Sequence, residues 1–255
     1  MVKNNWTYEE HILAYNLYCK IPFTKINSNY TPVKDLAVII GRTSGSVAMK
    51  LANFARLDPY QQARNVAGLS QGAKGEETVW NEFNNNWEEL AYKSEQILAR
   101  YKNNSVEVSS DIIVTDLPTE GKEREAMIKV RVNQAFFRKS VIASYDFRCC
   151  ITNLAVPELL VAGHIIPWSV NKEHRTNPAN GLSLNALHDK AFDKGLMTIT
   201  PDYKVKLSER LLENLDKSDI ENFFLPYNNK SIRLPQKFHP VREFLEYHSQ
   251  YIYLK

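Results

Sequence analysis

The stretch "LLVAGHIIPW", Leu159–Trp168, sets a histidine inside an apolar, strand-like run that a proline closes three residues later. A buried strand can carry His164 for packing alone, or it can be a rigid support that points one imidazole at a reaction. The next thirty residues of the chain decide between the two. A polar loop, "PWSVNKEHRTNPA", leads to a second short strand, "NGLSL", and then to a helix, "NALHDKAFDKG". This order of strand, long loop, strand and helix places Asn180 sixteen positions after His164, and His188 eight positions after Asn180. Asn185 stands where a helix needs its cap, which puts His188 on the first turn, facing back to the strands.

Each residue type has a use in metal-dependent hydrolysis of a phosphodiester. A neutral imidazole can take a proton from water near neutral pH. A second imidazole can hold a divalent cation against the phosphate and the leaving oxygen. An asparagine can bond across the loop and fix the first histidine, since a base misplaced by about an ångström loses much of its effect.

Further fragments agree in order and spacing: Arg131, Gln134, Phe137 and Arg138 in a preceding helix, then Cys150, Thr152, "GHIIPW", "NGLSL", "LH" and "FDKGL". Over about residues 128–200 the chain resembles the HNH, or ββα-metal, endonuclease family, and within it the bacterial restriction endonuclease branch. The resemblance implies that His164 is the general base, Asn180 the loop-fixing residue and His188 a metal ligand. It also implies Mg2+ or Mn2+ as the cofactor, double-stranded DNA as the substrate, and 5′-phosphate and 3′-hydroxyl ends. All three side chains are then expected to converge on one cation. One position departs from the family pattern: many HNH enzymes carry a metal-binding Asp or His directly before the base, and here that residue is Gly163. Asp193 is the candidate second ligand. It lies five residues after His188, about 140° around an ideal helix, so it reaches the ion only if the helix ends or tightens there. The alternative for Asp193 is a turn residue bonding the backbone ahead of Gly195.

On the N-terminal side of this core, "EREAMIKVRVNQAFFRKSVIASYD" reads as a helix with Arg131, Gln134 and Arg138 along one face, suited to phosphates, and Phe137 and Val141 on the buried side. Near the start, three short helices are expected. "WTYEEHILAYNLYCK" has Thr7 as its cap, "VKDLAVIIG" stops at Gly41, and "RTSGSVAMKLANFARLD" is capped by Thr43 or Ser44. In the third, Val47, Leu51 and Phe54 face inward, with Arg42, Ser46, Lys50 and Asn53 outward as a DNA-reading face. "WTYEE" together with "LAVIIGRTSGSVAMKLANF" resembles the Myb/SANT type of helix-turn-helix. Between the two parts, residues 58–75 read as a linker, 76–102 as one long acidic amphipathic helix, and 103–125 as a connector containing one short strand. The tail "LPQKFHPVREFLEYHSQYIY" reads as a covering helix, and "LMTITPDYKVKLS" as a hairpin.

The expected architecture is therefore α+β. Residues 1–57 form a helix-turn-helix domain and 58–125 a linker with its long helix. Residues 126–255 form the nuclease domain, whose ββα core spans about 158–195. Composition agrees with a soluble protein: 44% of the 255 residues are hydrophobic and 24% charged. No run approaches the ~18 apolar residues of a membrane span. Cys19, Cys149 and Cys150 make a poor disulfide framework and suggest a reducing cytoplasm. With Cys149 and Cys150 read as packing, and His11, His174, His239 and His248 as structural or exposed, the chemistry rests on the three motif residues. Seven bases face three acids in 1–57, five face twelve in 76–125, and twelve face seven in 126–210. Two basic blocks flanking an acidic one suit two surfaces that meet a polyanion.

The function expected is a metal-dependent DNA endonuclease of restriction type, working as a homodimer where both strands are cut. The rival is a sequence-specific DNA-binding regulator whose nuclease fold has decayed, and Gly163 gives it footing.

Overall fold

The computed structural model describes residues 5–65, 74–110, 112, 120–214 and 216–255. The chain divides into two compact units, Met1–Ser140 and Val141–Lys255.

In the first unit, α1 (Tyr8–Lys20) opens with a full capping box. The Thr7 hydroxyl accepts from the Glu10 amide at 3.2 Å, and the Glu10 carboxylate accepts from the Thr7 amide at 2.8 Å. Next come α2 (Thr31–Ile39) and α3 (Ser44–Leu57), joined through Gly41 at φ 62°, with α3 capped by Thr43. Three helices thus occupy this region in the expected order. Val47, Leu51 and Phe54 of α3 are fully buried, and Tyr15 of α1 stacks on Phe54 at 5.0 Å. Burying apolar side chains of this size contributes roughly 1.5–3 kcal/mol each, which is what holds short helices together.

The outer face of α3 differs from expectation. After the short α4 (Pro59–Gln62), α5 (Lys74–Phe83) packs on α1 and α3 and brings Glu76 and Glu77 to the polar residues of α3. Glu76 is wholly buried, ion-paired with Lys50 and accepting from Asn53 Nδ2 at 2.9 Å. Arg42 donates to the Glu10 carboxylate at 2.8 and 2.6 Å and lies over the Trp6 ring. Arg42, Lys50 and Asn53 therefore form an internal polar seam rather than an outward DNA-reading face, and Ser46 is half-buried. The physical reason is charge pairing. Glu76 in the first turn of α5 and Glu10 of α1 neutralise cations that a helix pattern alone assigns to solvent.

The expected single helix over 76–102 is two, α5 and α6 (Trp87–Tyr101), broken at Asn84–Asn86 with Asn85 at φ 77°. Asparagine tolerates this left-handed conformation better than most residues. Of the apolar positions Val79, Trp80, Phe83, Trp87, Leu90 and Ile97 that the helical spacing turns inward, all are buried except Trp80, which is half-buried. Both helices pack on α1 inside the first unit. The connector holds α7 (Val106–Ser109); residues 111 and 113–119 lie outside the described residues, and the short strand expected there has no counterpart among those described. On α8 (Lys122–Ser144), Phe137 and Val141 are buried, Gln134 and Arg138 exposed, and Arg131 half-buried.

In the second unit, β1 (Leu160–His164) and β2 (Gly181–Asn185) pair antiparallel, from Leu160↔Asn185 to His164↔Gly181. Against both lies α9 (Ala186–Asp193). A second antiparallel ribbon, β3 (Met197–Ile199) and β4 (Val205–Leu207), turns at Pro201–Asp202. It is followed by α10 (Glu209–Asn214), α11 (Lys217–Phe223) and α12 (Arg242–Tyr251). The tail helix α12 packs on β3. Its His248 stacks on Phe192 at 3.7 Å and shares hydrogen bonds with Thr198 Oγ1 and the Phe192 carbonyl. Burial pushes that imidazole down to about 4, which keeps it a neutral packing residue. The chain is thus α+β, with Cys19, Cys149 and Cys150 all free and buried.

Candidate active site

His164 ends β1, where the strand delivers it to the start of the loop. Its Nε2 lies 2.9 Å from the Arg175 carbonyl oxygen. A carbonyl only accepts, so Nε2 carries the proton and the lone pair is on Nδ1. Burial lowers the pKa of His164 and the Arg175 carbonyl offsets this in part, leaving the ring neutral near pH 7.

Asn180, 1% exposed, spends its whole amide on the loop between the strands. Oδ1 accepts from the Ile166 amide at 2.8 Å, while Nδ2 donates to the carbonyls of Ile166 at 3.1 Å and His174 at 3.2 Å. Its own carbonyl accepts from the Ile165 amide at 2.9 Å. One buried side chain therefore ties the loop's beginning to its end, directly beside His164.

His188 does not join them. It is 2% exposed. Its Nδ1 lies 2.9 Å from Asn185 Nδ2 and its Nε2 lies 2.9 Å from the Phe223 carbonyl, with Phe224 and Tyr227 packed edge-on against the ring. Both nitrogens are engaged inside the protein, so the expectation of His188 as a metal ligand, and of three side chains converging on one ion, is corrected. The cause is the cap. Asn185 Oδ1 accepts from the His188 amide at 2.9 Å, which starts α9 at a phase that turns position 188 to the core.

The next residue faces the other way. A methyl group built on Gly163 would stand 2.5 Å from Asp189 Oδ1, so the carboxylate of Asp189 fills the space that a side chain before the base would occupy. Asp193 comes four residues later, on the same side of α9 and exposed at its last turn. Burial first, and then the charge of Asp193, raise Asp189 to about 6. Two carboxylates that repel each other on one side of α9, with Asp189 against Gly163, suit a hard divalent cation, which would relieve that repulsion. Among the described residues no group of three or more His, Cys, Asp or Glu is placed to hold a metal. The donor set fits an ion that keeps several waters, such as Mg2+, and does not fit a closed zinc site.

The site is braced from behind by Cys149. Its sulfur accepts from the amides of Asn185 at 3.3 Å and Thr152 at 3.5 Å, with Asn185 Nδ2 at 3.8 Å. Burial pushes this thiol up, but the neighbouring His188 imidazole, Thr152 and backbone amides outweigh it and bring it to about 7.

Residues 149–200 match the HNH endonuclease family. The HNH segment begins at Cys149 and ends just past β3, so it takes in His164, Asn180, Asp189 and Asp193 together. No curated protein matches the chain. Within the HNH segment, sequence reasoning missed Asp189, although its four-residue spacing from Asp193 was the available signal. It also missed the role of Arg175, for which a backbone carbonyl leaves no sequence signal at all.

Proposed function

We propose that the protein is a metal-dependent DNA endonuclease of restriction type, with His164 as general base and Asp189 and Asp193 as the residues that would hold a divalent cation. The observation that carries this reading is the tautomer of His164: a neutral, half-buried imidazole whose Nε2 proton goes to a fixed carbonyl. Nδ1 takes the proton of a water, and the resulting hydroxide attacks phosphorus in line with the 3′ oxygen. Asn180 ties the loop at Ile166 and His174, next to the strand that carries His164. The cation, when bound, neutralises charge on the phosphate and the departing oxygen. Products are a 5′-phosphate and a 3′-hydroxyl. The exposed Gln134 and Arg138 of α8, with Arg131 beside them, are suited to phosphate contacts on double-stranded DNA. One such site cuts one strand, so double-strand cleavage would take a homodimer.

The test is plasmid nicking with Mg2+ or Mn2+ and with EDTA. The expected outcome is metal-dependent nicking that His164→Ala reduces by roughly a thousandfold while DNA binding stays within about threefold. Asp189→Asn should raise the metal concentration needed for half-maximal rate. A wild-type protein that binds DNA and never nicks it under any divalent ion favours the regulator with a decayed nuclease fold.

A further inference from the structure

We propose that Trp168 and Arg175 are positioning residues for His164, a stacked pair that pins the carbonyl to which the imidazole donates. Only the kinetic part of this proposal rests on the nuclease reading above.

The contacts form a closed circuit. His164 Nε2 lies 2.9 Å from the Arg175 carbonyl. Arg175 returns through its side chain, donating from Nε to the Trp168 carbonyl at 2.7 Å. Its guanidinium lies over the indole of Trp168 at 5.1 Å, and the indole stands edge-on to the His164 ring at 5.6 Å and 84°. Arg175 thus orients the imidazole with its main chain and anchors that main chain with its side chain.

Arg175 has no salt bridge to a carboxylate among the described residues, and it is only half-buried. Its place is explained by the flat indole face and the Trp168 carbonyl rather than by an ion pair. Asn180 secures the loop at Ile166 and His174, one residue short of the carbonyl that matters. Position 175 itself is held by this arginine. A polar loop of this length, without the stack, would let the carbonyl swing away and the imidazole rotate. In that state Nε2–H turns to water and Nδ1 loses its aim, at a cost of about a hundredfold for a displacement near 1 Å.

The experiment uses the full chain, uniformly 15N-labelled, with the His164 ring N–H assigned by its absence in His164→Ala. In wild type that proton should be protected from solvent exchange and visible by NMR. Arg175→Ala and Trp168→Ala should lose the signal through exchange, whereas Trp168→Phe, which keeps a flat aromatic face, should retain it. On plasmid DNA the two alanine variants should lower kcat about ten- to a hundredfold with KM within about twofold, and Trp168→Phe should restore most of it. A protected N–H in folded Arg175→Ala overturns the proposal, as does an unchanged kcat. Should Arg175→Ala fail to fold, the contrast between Trp168→Ala and Trp168→Phe decides in its place. If the wild type does not cut DNA, the nuclease reading fails while the exchange measurement still decides whether the pair positions His164.

Discussion

On α9 a single peptide unit separates His188 from Asp189, and their side chains leave the helix about 100° apart. That rotation sends the imidazole into the core under Phe224 and the carboxylate to the end of β1 against Gly163. The glycine and the aspartate explain each other, since any Cβ at 163 would collide with Asp189. At this scale the base also makes a prediction about pH. With His164 as the base proposed above, its neutral form is the active one, so kcat/KM should rise as pH rises through its pKa. Burial lowers that pKa, and the acidic limb should therefore have its midpoint below 6.5. A nicking series from about pH 4.5 to about pH 8 measures it, and a midpoint above about 7 would remove His164 as the base.

At the scale of elements, the phase of α9 is decided by one cap. Asn185 bonds the His188 amide, approaches the His188 ring, and touches the Cys149 sulfur and the Thr152 hydroxyl. Asn185→Ala should cost about 1–2 kcal/mol from the lost cap alone. Urea unfolding should show a lower midpoint with an unchanged slope, and full retention of stability would mean that the strands, not the cap, set the helix. This cap was legible in the sequence, because Asn before a helix has a local reason to be there. The break between α5 and α6 was not. Val79, Phe83, Trp87 and Leu90 keep a helical spacing straight through it, so periodicity carries no mark of the left-handed Asn85.

At the scale of each unit, buried charge is what distinguishes the first from its sequence pattern. Lys50, Asn53 and Glu76 form a polar contact sealed from water, and Gly75 lies so close to His11 that a methyl group there would collide with the ring. Removing one partner strands the other. Glu76→Ala should destabilise the protein by about 3–5 kcal/mol, because the Lys50 ammonium would remain buried without a counter-charge. Thermal unfolding followed by circular dichroism checks this, and a change under about 1 kcal/mol would mean that the lysine escapes to solvent.

Local chemistry along the chain was enough to establish the order of α1, α2 and α3 and of β1, β2 and α9, the caps at Thr7 and Asn185, and the inward apolar face of α3. Each of these depends on neighbours within a few residues, through hydrogen bonds and spacing that a short segment satisfies alone. Three outcomes required the folded chain: that Asp189 rather than His188 stands against Gly163 at the end of β1, that Glu76 covers the polar face of α3, and that a carbonyl at Arg175 sets the tautomer of His164. In each of them, side chains from distant segments compete for the same buried space. Which of them wins is settled by burial, charge pairing and helix phase acting together once those segments meet.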